Sequence, residues 1–242
     1  MIIIAEIGIN HNGSMHAAHE LIRQAKLAGA DIAKFQFYDP HKIFGPSGSY
    51  PNEEALRHAL TVQFGSEEAV RLKRWCDEEG IEFMASVFDE ERFEWMEALG
   101  VARHKIASRS VQDEGLCRRI LATGQETFIS LGFWQGCGVP YRADNARYLY
   151  CVPKYPCEYG DLDLPRWFPG SIYQGFSDHS IGIGASLVAI GRGATILERH
   201  FTLNKGLPGP DHVCSVTPEE LADLCRYARL MAKVSERSFV NA

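Results

Sequence analysis

The feature that most constrains the fold of this chain is a regular alternation of short β-rich segments with stretches of helical periodicity. Eight segments are rich in apolar and β-branched residues and are followed by turn or helix signals. They lie at 2–7, 31–37, 81–86, 103–108, 126–131, 147–152, 172–177 and 195–201. From the third segment onward, their first residues follow one another at intervals of 21 to 25 residues. This spacing suits a repeated, compact βα unit.

Eight βα units in 242 residues predict an α/β fold of one domain over 1–242, the TIM (β/α)8 barrel. An open doubly wound sheet is the main alternative. Two units depart from the repeat. After strand two, the Gly- and Pro-containing stretch 38–60 predicts a long loop over one end of the barrel, where it could serve as a lid. After strand five, the stretch 132–146 is too short and too broken by Gly and Pro for a full helix, so we expect a shortened fifth helix.

Composition and charge limit the classes of function. The formal net charge is −6 without a run rich in Lys and Arg, which argues against a surface that tracks nucleic-acid phosphates. The first ten residues have no basic start and include Glu6, so they resemble neither a signal peptide nor a membrane anchor. The seven Cys form no CxxC pair and predict buried apolar side chains rather than disulfides. We expect a cytoplasmic protein that binds small molecules, with no nucleic-acid or membrane partner, and leave a homodimer open.

Polar side chains recur at the carboxyl ends of the predicted strands, where the active sites of (β/α)8 barrels lie. They are Glu6, Lys34, Gln36, Ser86, Lys105, Ser108, Ser130, Ser177, Asp178, His179, Glu198 and His200. A single serine there is equally well explained by the rise in polarity as a strand leaves the core. Two lysines within apolar strands are costly to bury without an anion, so Lys34 and Lys105 indicate a cradle for phosphate or carboxylate. The alternative for Lys34 is that its ammonium group snorkels to solvent.

Two histidines, His179 and His200, lie at matching ends of neighbouring predicted strands. One divalent ion could bind both imidazoles and keep open positions for water or substrate, and Mn²⁺, Mg²⁺, Zn²⁺ or Co²⁺ would suit. Because the chain has nine His, hydrogen-bonded core histidines are the competing interpretation. Asp178 and Glu198 are expected to point to the opposite face from their neighbours, and either to support the site residues from behind or to have structural roles. A salt bridge of Glu198 with Arg199 is an alternative.

Eight ordered segments, spread over almost the whole chain, carry a more specific pattern. They are "AEIGINHNGS", "AGADIAKFQF", "FMASVFD", "HKIAS", "FISLG", "YPCE", "GFSDHS" and "ILERHFTLNKGLPGPDHVCSVTPEEL". Together they resemble the catalytic barrel of the sialic acid (N-acetylneuraminate) synthase family. The resemblance implies a TIM barrel that joins phosphoenolpyruvate to an N-acylated aldose or related aldehyde. The product would be a nonulosonic, sialic-acid-like 2-keto acid, formed with release of phosphate.

The resemblance also implies a role for each matching residue. His179 and His200 would bind the divalent ion, customarily Mn²⁺, with Mg²⁺ or Co²⁺ as alternatives, and Glu6 would lie near a water bound to it. The phosphate and carboxylate of phosphoenolpyruvate would be held by Lys34, Ser86, Lys105, Ser108, Ser130 and Ser177. The acceptor sugar would face Gln36, Tyr155 and Asp211. In the implied reaction the enol carbon attacks the metal-polarised aldehyde, water adds to the adjoining carbon, and the tetrahedral intermediate loses phosphate.

The sequence departs from the family pattern mainly on the acceptor side. Arg109 and Ser110 stand where the family has Gly and a sugar-binding Glu, and Pro153 replaces an Asn near phosphoenolpyruvate. The sequence also ends after the eighth predicted helix, before the family's small antifreeze-like C-terminal domain. We therefore expect the phosphoenolpyruvate and metal half to be kept. Arg109, as an acceptor-binding residue, would favour a smaller or more anionic acceptor.

Two other functions stay open at this point. A degenerate, non-catalytic barrel could bind a phosphorylated ligand or a partner protein. A Schiff-base aldolase could use Lys34 or Lys105, which would require a neutral amine in an apolar pocket. The serines predicted around both lysines are more typical of anion ligands than of such a pocket.

Overall fold

The structure, a computed structural model, describes residues 1–238, and eight parallel strands form a closed barrel. Each strand pairs with the next along the chain, and β1 pairs with β8 to complete the ring. The strands are β1 (Ile2–Gly8), β2 (Ile32–Phe37), β3 (Glu82–Val87), β4 (Arg103–Ile106), β5 (Glu126–Ser130), β6 (Ala146–Cys151), β7 (Gly175–Asp178) and β8 (Ile196–His200). All eight predicted strands and the barrel are confirmed, and the open doubly wound sheet is wrong. Residues 239–242, the end of the predicted domain, lie outside the described residues.

Eight α-helices accompany the strands in the described part of the chain. They are α1 (Met15–Ala28), α2 (Pro40–Phe44), α3 (Glu53–Val62), α4 (Ser66–Glu79), α5 (Glu90–Leu99), α6 (Glu114–Leu121), α7 (Gly184–Gly191) and α8 (Pro218–Ser238). Side-chain caps start several of them: Ser14 accepts from the Ala17 N–H and Asp89 from the Arg92 N–H. Gly29, with φ of 97°, ends α1 in the left-handed conformation that glycine adopts readily. None of the described helices is both long and apolar enough to cross a bilayer.

The two irregular units lie where the sequence places them. The excursion after β2 contains α2 and α3, and the Asn52 side chain caps α3 by accepting from the Ala55 N–H. The helix expected to be shortened, the one that would follow β5, is absent: between β5 and β6 the chain forms only turns and irregular structure. The connection between β6 and β7 likewise has only the short 3₁₀ turn Tyr159–Asp161. Residues 131–174, all of which the structure describes, contain no α-helix.

The inside of the barrel is apolar at the amino ends of the strands and polar at the carboxyl ends. An apolar plug is formed by Ile4, Ile32, Met84, Phe128, Leu149 and Ile196. Residues two apart in a strand face the same side. The next inward residues of these same strands are Glu6, Lys34, Ser86, Ser130, Cys151 and Glu198. The strand periodicity therefore places a polar cavity directly on the plug, at the end where barrel enzymes act.

Candidate active site

A cavity opens at the carboxyl end of the barrel, and each of the eight strands contributes to its wall. It is lined by Glu6, Lys34, Gln36, Ser86, Lys105, Ala107, Ser108, Ser130, Cys151, Tyr155, Ser177, His179, Glu198 and His200. Eleven of the thirteen predicted site residues are in this lining. The other two, Arg109 and Asp211, lie at its rim, as described below.

Lys34 is the centre of the charge network. Its Nζ lies 3.1 Å from Glu6 Oε2 and 3.0 Å from Glu198 Oε2, and it donates to Ser86 Oγ at 3.0 Å. The side chain is 2% exposed, so the alternative in which it snorkels to solvent is wrong. Burial opposes its charge, but Glu198 and Glu6 outweigh burial and raise the pKa of the Lys34 ammonium. Lys34 is therefore a charged ammonium and not the neutral amine that a Schiff-base aldolase requires.

Lys105 is the second ammonium of the cavity and is held less strongly by carboxylates. Its Nζ donates to Ser130 Oγ at 2.8 Å and to the Ile106 carbonyl at 3.1 Å, and lies 3.8 Å from Glu198 Oε1. Burial lowers the pKa of Lys105 to about 8, although Glu198 acts in the opposite direction. Desolvation thus outweighs the attraction of the more distant carboxylate. The Lys105 charge is the part of the site most sensitive to alkaline pH.

Two carboxylates face these lysines and differ in their protonation. Burial raises the pKa of Glu6, against the opposing effect of Lys34, and Gln36 Nε2 donates to Glu6 Oε1 at 2.7 Å. Burial would also raise the pKa of Glu198, but Lys105 and Lys34 together lower it, and Ser177 Oγ donates to this carboxylate at 2.7 Å. Glu198 is therefore a fixed negative charge. Glu6 is the carboxyl group that can exchange a proton near neutral pH.

His179 and His200 come together as predicted, with ring centroids 5.5 Å apart. His179 Nδ1 donates to the Val152 carbonyl at 2.8 Å, which leaves the lone pair on its Nε2. His200 Nδ1 is buried without a hydrogen-bond partner and lies 3.6 Å from the Asp211 carboxylate. Burial lowers the pKa of His179 to about 4 and that of His200 to about 3. Both rings are neutral at physiological pH, which is the form that binds metal ions.

The donor set fits a divalent ion with few protein ligands. Within residues 1–238, no group of three or more His, Cys, Asp and Glu side chains is arranged to hold a metal. The two imidazoles, one of them with an unpartnered buried nitrogen, are the side chains that could hold such an ion.

The predicted acceptor residues form the outer part of the cavity and its rim. The Tyr155 ring packs on His179 with centroids 4.1 Å apart. Asp211 lies against His200, and burial raises the pKa of its carboxyl group. Arg109 does not line the cavity; its guanidinium lies over the rings of Phe44 and Tyr50, 5.6 and 5.0 Å from the centroids. The end of β4 is thereby joined to the excursion after β2.

Glu198 is the main residue whose role sequence reasoning missed. The expectation that its side chain faces away from the site is wrong, because it lines the cavity and contacts both lysines. The signal was present: Glu198 is two residues before His200 and so shares its face of β8. The alternative Glu198–Arg199 salt bridge is also wrong, since Arg199 pairs with Asp178 at 2.7 Å. Asp178 faces away from the cavity, as expected.

One further residue of the wall was not predicted. Cys151 lines the cavity, 3.8 Å from Ser108 Oγ, although its sequence context is that of an apolar core cysteine. Six of the seven cysteines are buried and all are free, which agrees with the prediction for them. Ser110, expected from the resemblance to stand in place of a sugar-binding Glu, is buried outside the lining, and its carbonyl accepts from Cys117 Sγ.

Comparisons with known proteins agree with this geometry. The model of the NeuB family matches residues 21–238. The chain is 33% identical to the N-acetylneuraminate-9-phosphate synthase of Homo sapiens, over 96% of this chain and 70% of that protein. It is 31% identical to the N,N'-diacetyllegionaminic acid synthase of Legionella pneumophila, over 94% of this chain and 71% of that protein.

Solved structures give the same result. The N-acetylneuraminic acid synthetase of Leptospira borgpetersenii, determined in complex with citrate, superposes with a TM-score of 0.85 and 29% identity. The match covers 96% of this chain and 84% of that one. The barrel, the ordered motifs and these matches agree, and the predicted resemblance to the sialic acid synthases is confirmed. The chain belongs to the NeuB family.

Proposed function

We propose that this protein is a phosphoenolpyruvate-dependent condensing enzyme, a transferase that joins phosphoenolpyruvate to an aldose. The product would be a nonulosonic 2-keto acid, with phosphate released. The observation that carries the proposal is the presence of two buried ammonium groups, Lys34 and Lys105, in one cavity with two neutral imidazoles. The names of the relatives, synthases of sialic and legionaminic acids, support the same reaction class.

The proposed phosphoenolpyruvate site is the inner part of the cavity. The phosphate and carboxylate would be bound by Lys34, Ser86, Lys105, Ser108, Ser130 and Ser177, which are all in the lining. Lysines act there as point charges and serine hydroxyls as neutral donors. Because Lys34 and Lys105 face Glu198, the ligand would compete with this carboxylate for the two ammonium groups.

The proposed catalytic groups are Glu6, His179 and His200. The two imidazoles would hold a divalent ion, Mn²⁺ in preference to Mg²⁺ or Co²⁺, and the ion would supply polarisation of the acceptor carbonyl. Glu6, with its raised pKa, would exchange a proton with the acceptor oxygen or with the water that attacks the former enol carbon. Gln36 orients the Glu6 carboxyl group for this transfer.

The proposed acceptor site is the rim. Gln36, Tyr155 and Asp211 would contact the hydroxyl groups of the sugar, and Tyr155 would also offer it a half-exposed ring face. Arg109 would bind an anionic group of the acceptor, because its guanidinium carries a permanent positive charge and a fork of N–H donors suited to phosphate or carboxylate. An acceptor that carries a phosphate or carboxylate is therefore the expected class.

We also propose a cytoplasmic location, which the seven free cysteines support because reducing compartments keep thiols unpaired. Assembly as a homodimer stays a prediction. Light scattering after size-exclusion chromatography measures the mass that distinguishes one copy from two.

The experiment that tests the reaction supplies phosphoenolpyruvate, Mn²⁺ and a panel of N-acylated aldoses, their phosphorylated forms and unsubstituted aldoses. We expect phosphate release that depends on an acceptor and is matched mole for mole by a new 2-keto acid. A barrel that only binds would give heat on titration with phosphoenolpyruvate but no phosphate from any acceptor. Trapping of a substrate by borohydride would instead indicate a Schiff base.

A further inference from the structure

A fully buried ion pair lies directly behind the two histidines. Arg199 Nη1 is 2.7 Å from Asp178 Oδ2, and both side chains are 0% exposed. Asp178 precedes His179 and Arg199 precedes His200. Because successive side chains of a strand point to opposite faces, the histidines face the cavity and the ion pair faces away from it.

The pair also binds the backbone of the segments around it. Arg199 Nη2 donates to the carbonyls of Ser180 at 2.7 Å and Cys214 at 3.1 Å. Asp178 accepts from the Ser180 N–H at 2.8 Å and from Ser186 Oγ at 2.6 Å. One guanidinium therefore connects the end of β7, β8 and the turn His212–Cys214.

Each connected segment carries a residue of the site. The end of β7 carries His179, β8 carries His200, and Asp211 immediately precedes the turn at Cys214. The turn is held further by Ser215, whose Oγ donates to the Asp211 carbonyl at 2.7 Å. Displacement of Arg199 would thus change the separation of the two imidazoles and the approach of Asp211 to His200.

Stability of the fold is a poor explanation for this arrangement. Two charges removed from water lose much of their hydration free energy, and apolar side chains of similar volume often serve a core as well or better. A guanidinium with fixed N–H directions, by contrast, specifies the distances between the groups that it binds.

We propose that Asp178 and Arg199 are a positioning pair that sets the spacing of His179 and His200, and thereby the affinity of the site for a divalent cation. The inference rests on the proposed function only in assuming that the two histidines bind a metal. Neither residue touches substrate or metal; both act through the backbone of the segments that they connect.

The test replaces the pair by apolar residues and measures Mn²⁺ binding without substrates. In Asp178→Leu/Arg199→Met the buried charges are removed together, so no unpaired charge remains in the core. Free Mn²⁺ is followed by electron paramagnetic resonance, and folding by circular dichroism and thermal unfolding. The matched control is Arg103→Met, because Arg103 also joins neighbouring strands, through Glu82 and Glu126, but at the amino end of the barrel.

We expect the double variant to fold and its Kd for Mn²⁺ to rise on the order of tenfold or more, as for other residues that orient metal ligands. Arg103→Met should keep the affinity of the wild type. Unchanged Mn²⁺ affinity in a folded double variant would overturn the positioning role alone. A wild-type protein that binds no Mn²⁺ would overturn the metal site and this inference with it. If the double variant does not fold, Arg199→Lys, which can keep the ion pair but not both carbonyl contacts, is judged by the same affinity criterion.

Discussion

Glu6 and Glu198 share one ammonium group: Lys34 Nζ lies 3.1 Å from the first carboxylate and 3.0 Å from the second. The two carboxylates project from β1 and β8, which pair with each other where the barrel closes. Lys105, the other ammonium, has a single carboxylate of the described residues within 4 Å, that of Glu198 at 3.8 Å. An anionic substrate must compete with these carboxylates, so protonation of the site should govern its binding.

The Lys105 ammonium gives the first prediction, a pH dependence of phosphoenolpyruvate binding. Because the pKa of Lys105 is lowered to about 8, the group is charged below this pH and neutral above it. We expect the Kd to be lowest below pH 8 and to rise by about tenfold for each further pH unit. Isothermal titration calorimetry from pH 6.5 to 9.5 measures this profile.

Two variants test the assignment of this pH dependence. Lys105→Arg keeps the charge at all these pH values, so the alkaline loss of affinity should disappear. Glu198→Gln removes the carboxylate that favours the charged form of Lys105, so the loss should begin at lower pH. A wild-type affinity that stays constant up to pH 9.5 would contradict the prediction.

The second prediction concerns stability. Lys34→Met leaves Glu6 and Glu198 buried together without their shared cation, which should lower the free energy of unfolding by about 3–5 kcal/mol at pH 7.5. In this variant the folded-state pKa of the carboxyls rises above the unfolded value, so the folded state binds more protons. The deficit should therefore be smaller at pH 5 than at pH 7.5. Urea unfolding at both pH values measures it.

Controls separate charge from packing in this experiment. Lys26→Met alters an exposed lysine whose Nζ donates to the Gly80 carbonyl, and it should change stability little at either pH. Lys34→Met/Glu198→Gln removes one of the two orphaned charges and should recover part of the loss. An equal deficit at pH 5 and pH 7.5 would show that lost packing, and not charge, is the cause.

The third prediction concerns His200. We expect His200→Ala to lose Mn²⁺ binding and phosphate release while its circular dichroism stays that of the wild type, because no hydrogen bond holds Nδ1. His104→Ala is the matched control, since His104 is also buried but lies at the other end of the barrel, 3.0 Å from Glu97. It should lower stability and leave Mn²⁺ affinity intact. Near-normal phosphate release by His200→Ala would refute the ligand assignment.

The fourth prediction concerns the acceptor. Arg109→Gln should raise the KM for a phosphorylated aldose by roughly tenfold or more, since a hydrogen bond to a charged group is lost. The KM for the matching uncharged aldose should rise less, because only the loss of the contacts with Phe44 and Tyr50 affects it. Arg57→Gln, an exposed cation on α3, is the control and should affect neither substrate. Equal changes for both substrates would remove Arg109 from acceptor recognition.

Much of the fold and the inner site followed from strand periodicity. A strand buried on both sides shows apolar runs, so a lysine within it, as at 34 or 105, is conspicuous and its inward direction can be inferred from neighbours two residues away. The same two-residue periodicity places Glu198 on the face of β8 that carries His200. Its inward direction was missed because Glu198 was compared only with its adjacent residues. The excursion after β2 was expected as a loop because of the glycines and prolines before α3. The Asn52 cap is a short sequence signal for the start of that helix.

Other features required three-dimensional information. The Asp178–Arg199 pair depends on the register of β7 against β8, in which these two residues lie opposite each other. No spacing along the chain gives that register. The stacking of Arg109 on Phe44 and Tyr50 depends on how the excursion folds back over the mouth, which local sequence does not determine.

The contact of Arg109 with two aromatic rings has an evolutionary consequence. The Arg109 side chain, proposed to select the acceptor, also contacts Phe44 and Tyr50 and so helps to hold the excursion after β2 in place above the mouth of the cavity. Substitution of Arg109 would therefore change which acceptors bind and, at the same time, weaken the contacts that hold the excursion after β2 over the cavity. A descendant of this chain that adopts a different sugar would therefore need compensating changes around Phe44 and Tyr50, so these three positions should vary together among its relatives.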